Sequence, residues 1–199
     1  MKRLLTAALG VLISVAAAAQ GAEQTLRIRG TIDQIDAKSM VVKDRGGKAT
    51  PLVYADDLRV SEVVPIDPAA IQTGAFIGTA AVPRADGSLA AIEVHVFPED
   101  ARGTGEGHRP FDLQPGSTMT NATVASVTTG PNDRVVTLRY KGGEKTIHVP
   151  NGVPIVTIKA GDKSLLVPGA KVIVSEQVRG GKNVATRVIV GRNGFETPM

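Results

Sequence analysis

GTIDQIDAKSMVVKDRGGKA, residues 30–49, and ATVASVTTGPNDRVVTLRYKGGEK, residues 122–145, are two versions of one pattern. Thr31 answers Thr123, Val41 and Val42 answer Val135 and Val136, and Gly46-Gly47 answer Gly142-Gly143. Further on, TGAFIGTAAV from Thr73 answers PGAKVIVSEQV from Pro168. The turn Arg84-Ala85-Asp86-Gly87 then answers Arg179-Gly180-Gly181-Lys182. An ordered series of matches at a nearly constant offset is the mark of an internal repeat. The chain reads as a duplication.

Each copy reads as strands. Leu26, Ile28 and Ile32 alternate with Arg27, Arg29 and Asp33, the period-2 pattern of a half-buried strand. The Gly-Gly pairs fall where a tight hairpin needs positive φ. Twelve Pro and 22 Gly among 199 residues fit many short elements joined by turns. One short helix is expected after Asp67, which can cap it, with Pro68 in its first turn and Gly74 at its end. A weaker turn is expected at Gly161-Asp162-Lys163-Ser164. The fold class is therefore all-β: two tandem small OB-like β-barrels, with an open sandwich as second choice. Closure removes the exposed sheet edges that a small β-domain otherwise carries.

At the N-terminus, Lys2 and Arg3 precede an apolar stretch from Leu4 to Ala19 that closes on small residues. This is the pattern of a secretory signal peptide, too short for a bilayer span of ~20 residues. The domain reading is a signal peptide at 1–22, a first barrel at 23–97, a Gly/Pro-rich connector at 98–118 and a second barrel at 119–199. The expected location is periplasmic or secreted, with no membrane insertion after cleavage. Loss of Lys2 and Arg3 lowers the formal charge from +4 to +2. No Lys/Arg stripe offers phosphate binding, and six aromatic residues without Trp leave little for base stacking, so no nucleic-acid partner is expected. The absence of Cys excludes disulfides and thiolate metal sites.

The stretch FIGTAAVPRADGSLAAIEVHVFPEDARGTGEGHRPFDLQPGSTMTNATV, residues 76–124, resembles a family of small exported bacterial proteins with duplicated β-barrels of unknown function. Members of that family are sometimes labelled metal ABC transporter components, a label this sequence gives little support because a permease needs many membrane spans. The resemblance implies tandem barrels and no established activity.

Four residues form the best chemical candidate: Glu93, His95, Glu106 and His108. If Ile92, Val94 and Val96 face a core, Glu93, His95 and Phe97 share the opposite face by strand alternation. A Gly-rich loop bringing Glu106 and His108 back would complete an N/O site for Zn²⁺ or Cu²⁺. The second copy has Arg187 and Ile189 at the matching positions, so such a site belongs to the first copy alone. The plainer reading is a solvated strand face followed by a polar loop. Gly103-Thr104-Gly105-Glu106-Gly107 offers backbone N–H groups to an anion, but carries its own carboxylate and reads as a turn. Arg102, Arg109 and Phe111 in the connector are candidates for contact with a partner, and Phe111 and Leu113 for docking the connector on a barrel.

No Gly-x-Ser-x-Gly elbow is present, and His148 reads as an outward strand residue. The Asn121-Ala122-Thr123 triplet matches a glycosylation acceptor, which carries no weight in bacterial-type export. The leading functional expectation is a non-catalytic binding or accessory protein, acting on an unknown protein or small ligand. The alternatives are a divalent-metal-binding protein and, more remotely, a hydrolase with Glu93 or Glu106 as general base.

Overall fold

Alternating apolar side chains and turn-forming glycines produce twelve strands in the structure, a computed structural model that describes residues 25–196, 198 and 199. In chain order they are β1 (Leu26–Ile35), β2 (Ser39–Asp44), β3 (Ala49–Pro65), β4 (Phe76–Pro83), β5 (Leu89–Val96) and β6 (Gly107–Pro110), then β7 (Thr118–Thr129), β8 (Asp133–Tyr140), β9 (Gly143–Pro150), β10 (Ile155–Ala160), β11 (Lys171–Arg179) and β12 (Lys182–Gly191). The leader expected over residues 1–22 lies outside the described residues. Among those described, no helix is long and apolar enough to cross a membrane.

Local chemistry explains the connections. Gly47 at φ 88° and Gly142 at φ 105° turn the β2–β3 and β8–β9 hairpins in a conformation that L side chains avoid. The expected helix after Asp67 is a single 3₁₀ turn, Pro68–Ala70, with the Asp67 carboxylate accepting from the Ala69 N–H at 2.7 Å. Asp162 repeats the device, accepting from Ser164 N–H at 2.7 Å ahead of Lys163–Leu165.

The protein is all-β and contains a closed five-stranded barrel. Its circuit runs β1–β2–β3–β12–β11 and back to β1, with β3 and β12 parallel and the other neighbours antiparallel. An equivalent circuit joins β7, β8, β9, β5 and β4, with β9 and β5 parallel. The tandem arrangement expected from the sequence is therefore corrected. Strands β1–β5 do not close on themselves, because β4 and β5 leave β1–β3 and complete the circuit of β7–β9. Residues 119–199 return β11 and β12 to β1–β3. Each half supplies three strands to one circuit and its last two strands to the other.

The apolar packing follows the same exchange. One core joins Ile77, Leu89 and Val94 to Val124, Val136, Leu138 and Ile147. The other joins Ile32, Val42 and Leu52 to Val172, Val174 and Val188. Ile77, Val94, Val136, Leu138, Ile147, Val42, Val174 and Val188 are fully buried. Burying one such side chain contributes about 1.5–3 kcal/mol, and each core draws such side chains from both halves.

Register refines the repeat. Ile32 lies opposite Val42, and Val124 opposite Leu138, so Val42 matches Leu138 and not Val136. Between the circuits, β3 runs on to pair antiparallel with β10, Val63 opposite Ile158. The connector is ordered. Glu99–Ala101 forms a 3₁₀ turn and β6 pairs with β7. Phe111 then sits 5.3 Å from the Arg27 guanidinium and 5.6 Å from that of Arg29, while Asp112 accepts from Arg29 at 2.9 Å. Burial resists ionisation of Asp112, but Arg29 and Arg27 outweigh it and hold the carboxyl below its usual range. Phe111 thus docks the connector on β1.

Candidate functional site

The bulge in β5 sets the site. Ala91 pairs with Ala81 and Glu93 with Ala80, leaving Ile92 as the extra residue. Beyond it, Val94 enters the core, while Glu93 and His95 turn to the opposite face. That much agrees with the alternation read from the sequence. The face is not solvated, however. Glu93 is 1% exposed and His95 8%.

Register places His95, Gly78 and Asn121 in one row across β5, β4 and β7. The neighbouring row holds Glu93, Ala80 and Met119. Small residues on the central strand β4 leave a trough, with Glu93 and His95 on one bank and Met119 and Asn121 on the other. Strand spacing puts the two banks about 10 Å apart, backbone to backbone. Gly78 is required at the bottom. A Cβ there would stand 2.7 Å from Asn121 Oδ1 and 3.1 Å from Phe97 Cε2.

Over the trough lies the corresponding face of the other circuit, contributing Ile173, Ile189 and Arg27, with Val63 and Ile158 between them. Phe111, Arg109 and Met199 complete the wall of a cavity of about 160 Å³. His95 and Asn121 line this largely apolar space. Asn121 Nδ2 donates to the Thr104 carbonyl at 2.9 Å, which fixes its Oδ1 as the acceptor on the other side. Asn121 Oδ1 and His95 Nε2 are both buried and without a hydrogen-bond partner in the protein. Burial pushes the His95 imidazole down to about 4, so it is neutral near pH 7. Its ring lies 4.1 Å from that of Phe97. Glu93 accepts from the Met199 N–H at 3.4 Å.

The four-residue metal cluster expected from the sequence is not assembled. Among the described residues, no three His, Asp or Glu side chains come together as metal ligands. His108 pairs in register with Thr120, which lies opposite Thr79, and Thr79 lies opposite Val94. Alternation therefore puts His108 on the face away from His95, where its Nδ1 lies 2.8 Å from Thr120 Oγ1. Burial, with the charge of Lys145, holds the His108 pKa below its usual value. Glu106 accepts from the Lys141 N–H at 2.9 Å at the β8–β9 turn. Only Glu93 and His95 of the four meet.

The connector residues considered for partner contact are engaged within the chain. Arg102 pairs with Glu99 and donates to the Gly74 carbonyl. Arg109 donates to the Gly105 carbonyl at 2.7 Å, and Phe111 is held by Arg27 and Arg29. His148 is half-buried, its Nδ1 2.7 Å from Asp133 Oδ2.

Gly78 and Asn121 were missed by sequence reasoning, though the repeat carried the signal. Gly78 matches Ile173, His95 matches Ile189 and Asn121 matches Arg29 in the equivalent pairings. One face is filled with isoleucine where the other is indented and polar. No protein-family model, curated protein or solved structure matches the chain.

Proposed function

We propose that this chain is an exported, periplasmic or secreted, non-catalytic binding protein made of two OB-like barrels with exchanged last strands. The signal-type N-terminus supports export. In each circuit the third and fifth strands run parallel while the rest are antiparallel, which supports an OB-like, Greek-key reading. The trough between the circuits is the ligand site.

The observation that carries this reading is the difference between the two faces. Duplication supplies two equivalent surfaces, and the simplest way to join them is to fill both with apolar side chains. Ile173 and Ile189 do so on one side, while Gly78, His95 and Asn121 on the other side line a cavity. Binding fits better than catalysis. Among the described residues, the only histidine–hydroxyl hydrogen bond is that of His108 with Thr120, within the strand pairing. Nucleic-acid binding is not favoured either, since Phe76 is buried and Phe97 packs against it at 5.2 Å between ring centroids.

The test is a thermal-shift panel of small cations, anions, sugars and uncharged ring compounds against wild type and Gly78→Ala, which closes the trough. At least one compound is expected to raise the wild-type Tm and to lose that effect in the variant. If no compound stabilises wild type, or if every stabilising compound acts equally on Gly78→Ala, the binding reading fails.

A further inference from the structure

The two circuits differ at one end in what covers them. In the second circuit, residues 118–121 of β7 pair with β4 on one side and with β6 on the other. The equivalent residues 26–29 of β1 pair with β11, while β2 joins β1 only from Gly30. We infer that the open mouth of the first circuit binds an extended segment of a partner protein, which pairs with β1 as β6 pairs with β7 and sets a Lys or Arg side chain on Glu176. This goes beyond the trough and does not rest on it. Arg27, Arg109 and Phe111 line both spaces and divide them.

The backbone offers the edge. The Ile32 N–H donates to the Ala170 carbonyl and its C=O accepts from Gly169, both on the β11 side. Alternation therefore points the backbone groups of Arg27 and Arg29 the other way. The Arg29 carbonyl accepts from the Arg45 N–H at 3.2 Å, but among the described residues no strand takes up the Arg27 N–H and C=O. Such unpaired edge groups are what an added strand hydrogen-bonds. A groove runs along this edge, between residues 25–28 and residues 109–112.

Side chains select the occupant. In the second circuit His108 of β6 lies on the interior face beside Thr120, with Thr79 next in the row. Ile28 and Val174 hold those two positions in the first circuit, and Glu176 stands where the second has Ala81. Glu176 shares the interior face of β11 with Val172 and Val174 and is 6% exposed. Among the described residues its carboxylate accepts no hydrogen bond and joins no ion pair, yet its oxygens are not shut off from the groove it lines. Arg27 is paired with Asp112, Arg109 donates to the Gly105 carbonyl, and Lys48 on the rim forms no ion pair with Glu176.

Around Glu176 the lip is hydrocarbon, made by Leu26, Ile28 and Val178. A cation on a hydrocarbon stem suits both features. Leu26 lies directly opposite Glu176, so a peptide residue opposite Leu26 stands two strand spacings, about 10 Å, from Glu176. Lys or Arg spans that gap, and a short side chain does not.

The probe is the capped peptide Thr-Lys-Val-Lys-Val-Lys-Thr, labelled with fluorescein and titrated into the intact chain by anisotropy. Saturable binding is expected, with hydrogen exchange of the Arg27 amide slowed at least roughly tenfold at saturation. Gln in place of Lys in the peptide, or Glu176→Gln in the chain, should each weaken binding at least roughly tenfold, the effect of one charge-assisted hydrogen bond. N-methylation of the two Val residues, which blocks pairing with Arg27, should do the same. In competition, n-butylammonium brings the cation without a strand and should bind at least roughly tenfold more weakly than the peptide. Equal binding of the Lys and Gln peptides, indifference to N-methylation, n-butylammonium as tight as the peptide, or no saturable binding up to about 1 mM would each overturn the inference. The peptide series and the Arg27 amide need no variant, so the outcome does not depend on how well Glu176→Gln folds.

Discussion

Val63 and Ile158 face one another across the antiparallel pairing of β3 and β10, and they are the same position of the two repeats. The equivalence follows from the parallel pairings: Val60 lies beside Val188, and Ile155 beside Val94. A residue paired with its own repeat-mate marks a local two-fold axis. Around it, each half hands its last two strands to the other, and the outer faces of the two circuits meet over the trough. The site exists because the halves are exchanged: His95 belongs to the first half of the chain and Asn121 to the second.

Acid should act on the fold through His95. Its pKa in the fold is about 4, against 6.5 for the free side chain. Between those values the unfolded chain binds the proton and the folded chain does not. The stability that His95 contributes is therefore complete above about pH 6.5 and is lost as pH falls toward 4, by roughly 3 kcal/mol at most. Urea unfolding at pH 7.5 and pH 4.5 should show this loss in wild type. In His95→Ile the difference between the two pH values should be smaller by that amount. Equal pH sensitivity in the two proteins would place His95 in a solvated setting.

Gly78 should tolerate no side chain while Asn121 stands beside it. Gly78→Ala adds a Cβ 2.7 Å from Asn121 Oδ1, and such overpacking costs about 1–3 kcal/mol. In an Asn121→Ala background much of that penalty should vanish. A double-mutant cycle by denaturant unfolding measures the coupling, expected at about 0.5–3 kcal/mol. Additive effects would show that the two residues do not share the trough floor.

The legible and illegible parts of this protein divide on physical grounds. Strand alternation and the turn glycines at 47 and 142 placed the hairpins, because those signals are local. Alternation also put Glu93 and His95 on one face. What covered that face was not readable, since a period-2 pattern says that a side is buried and not which partner buries it. Either half's last two strands could close either circuit, as Ile77 and Val172 offer similar side chains at matching positions. Asn121 was hidden for another reason: it matched a glycosylation triplet, and only its pairing with Gly78 gives it meaning.

Zinc should find no high-affinity site. His95 and His108 lie on opposite faces and three strands apart, about 14 Å by strand spacing. In equilibrium dialysis, wild type and a His95→Ala/His108→Ala double variant are expected to retain the same Zn²⁺ and Cu²⁺. A one-to-one loss of metal in the double variant would restore the cluster considered from the sequence.

Cutting the chain at the connector should leave two pieces that need each other. Residues 25–97 hold β1–β3 with no β11 or β12 to close them, and residues 98–199 lack β4 and β5. Co-expressed, the two are expected to purify one to one with the far-UV circular dichroism of the intact chain. A folded monomer of residues 25–97 alone would mean that its own last strands suffice.

Strand exchange is tested most directly by disulfide capture, in a chain that has no cysteine to interfere. Ile28 lies opposite Val174 in the β1–β11 register, and directly opposed antiparallel residues stand about 4.5–5.5 Å apart, within disulfide reach. Thr79 is the position equivalent to Val174 in the first half. Under mild oxidation, Ile28→Cys/Val174→Cys should form an intramolecular disulfide and Ile28→Cys/Thr79→Cys should not, as read by mass spectrometry of the monomer. Efficient closure of the 28–79 pair with an open 28–174 pair would contradict the exchange and restore two self-contained halves.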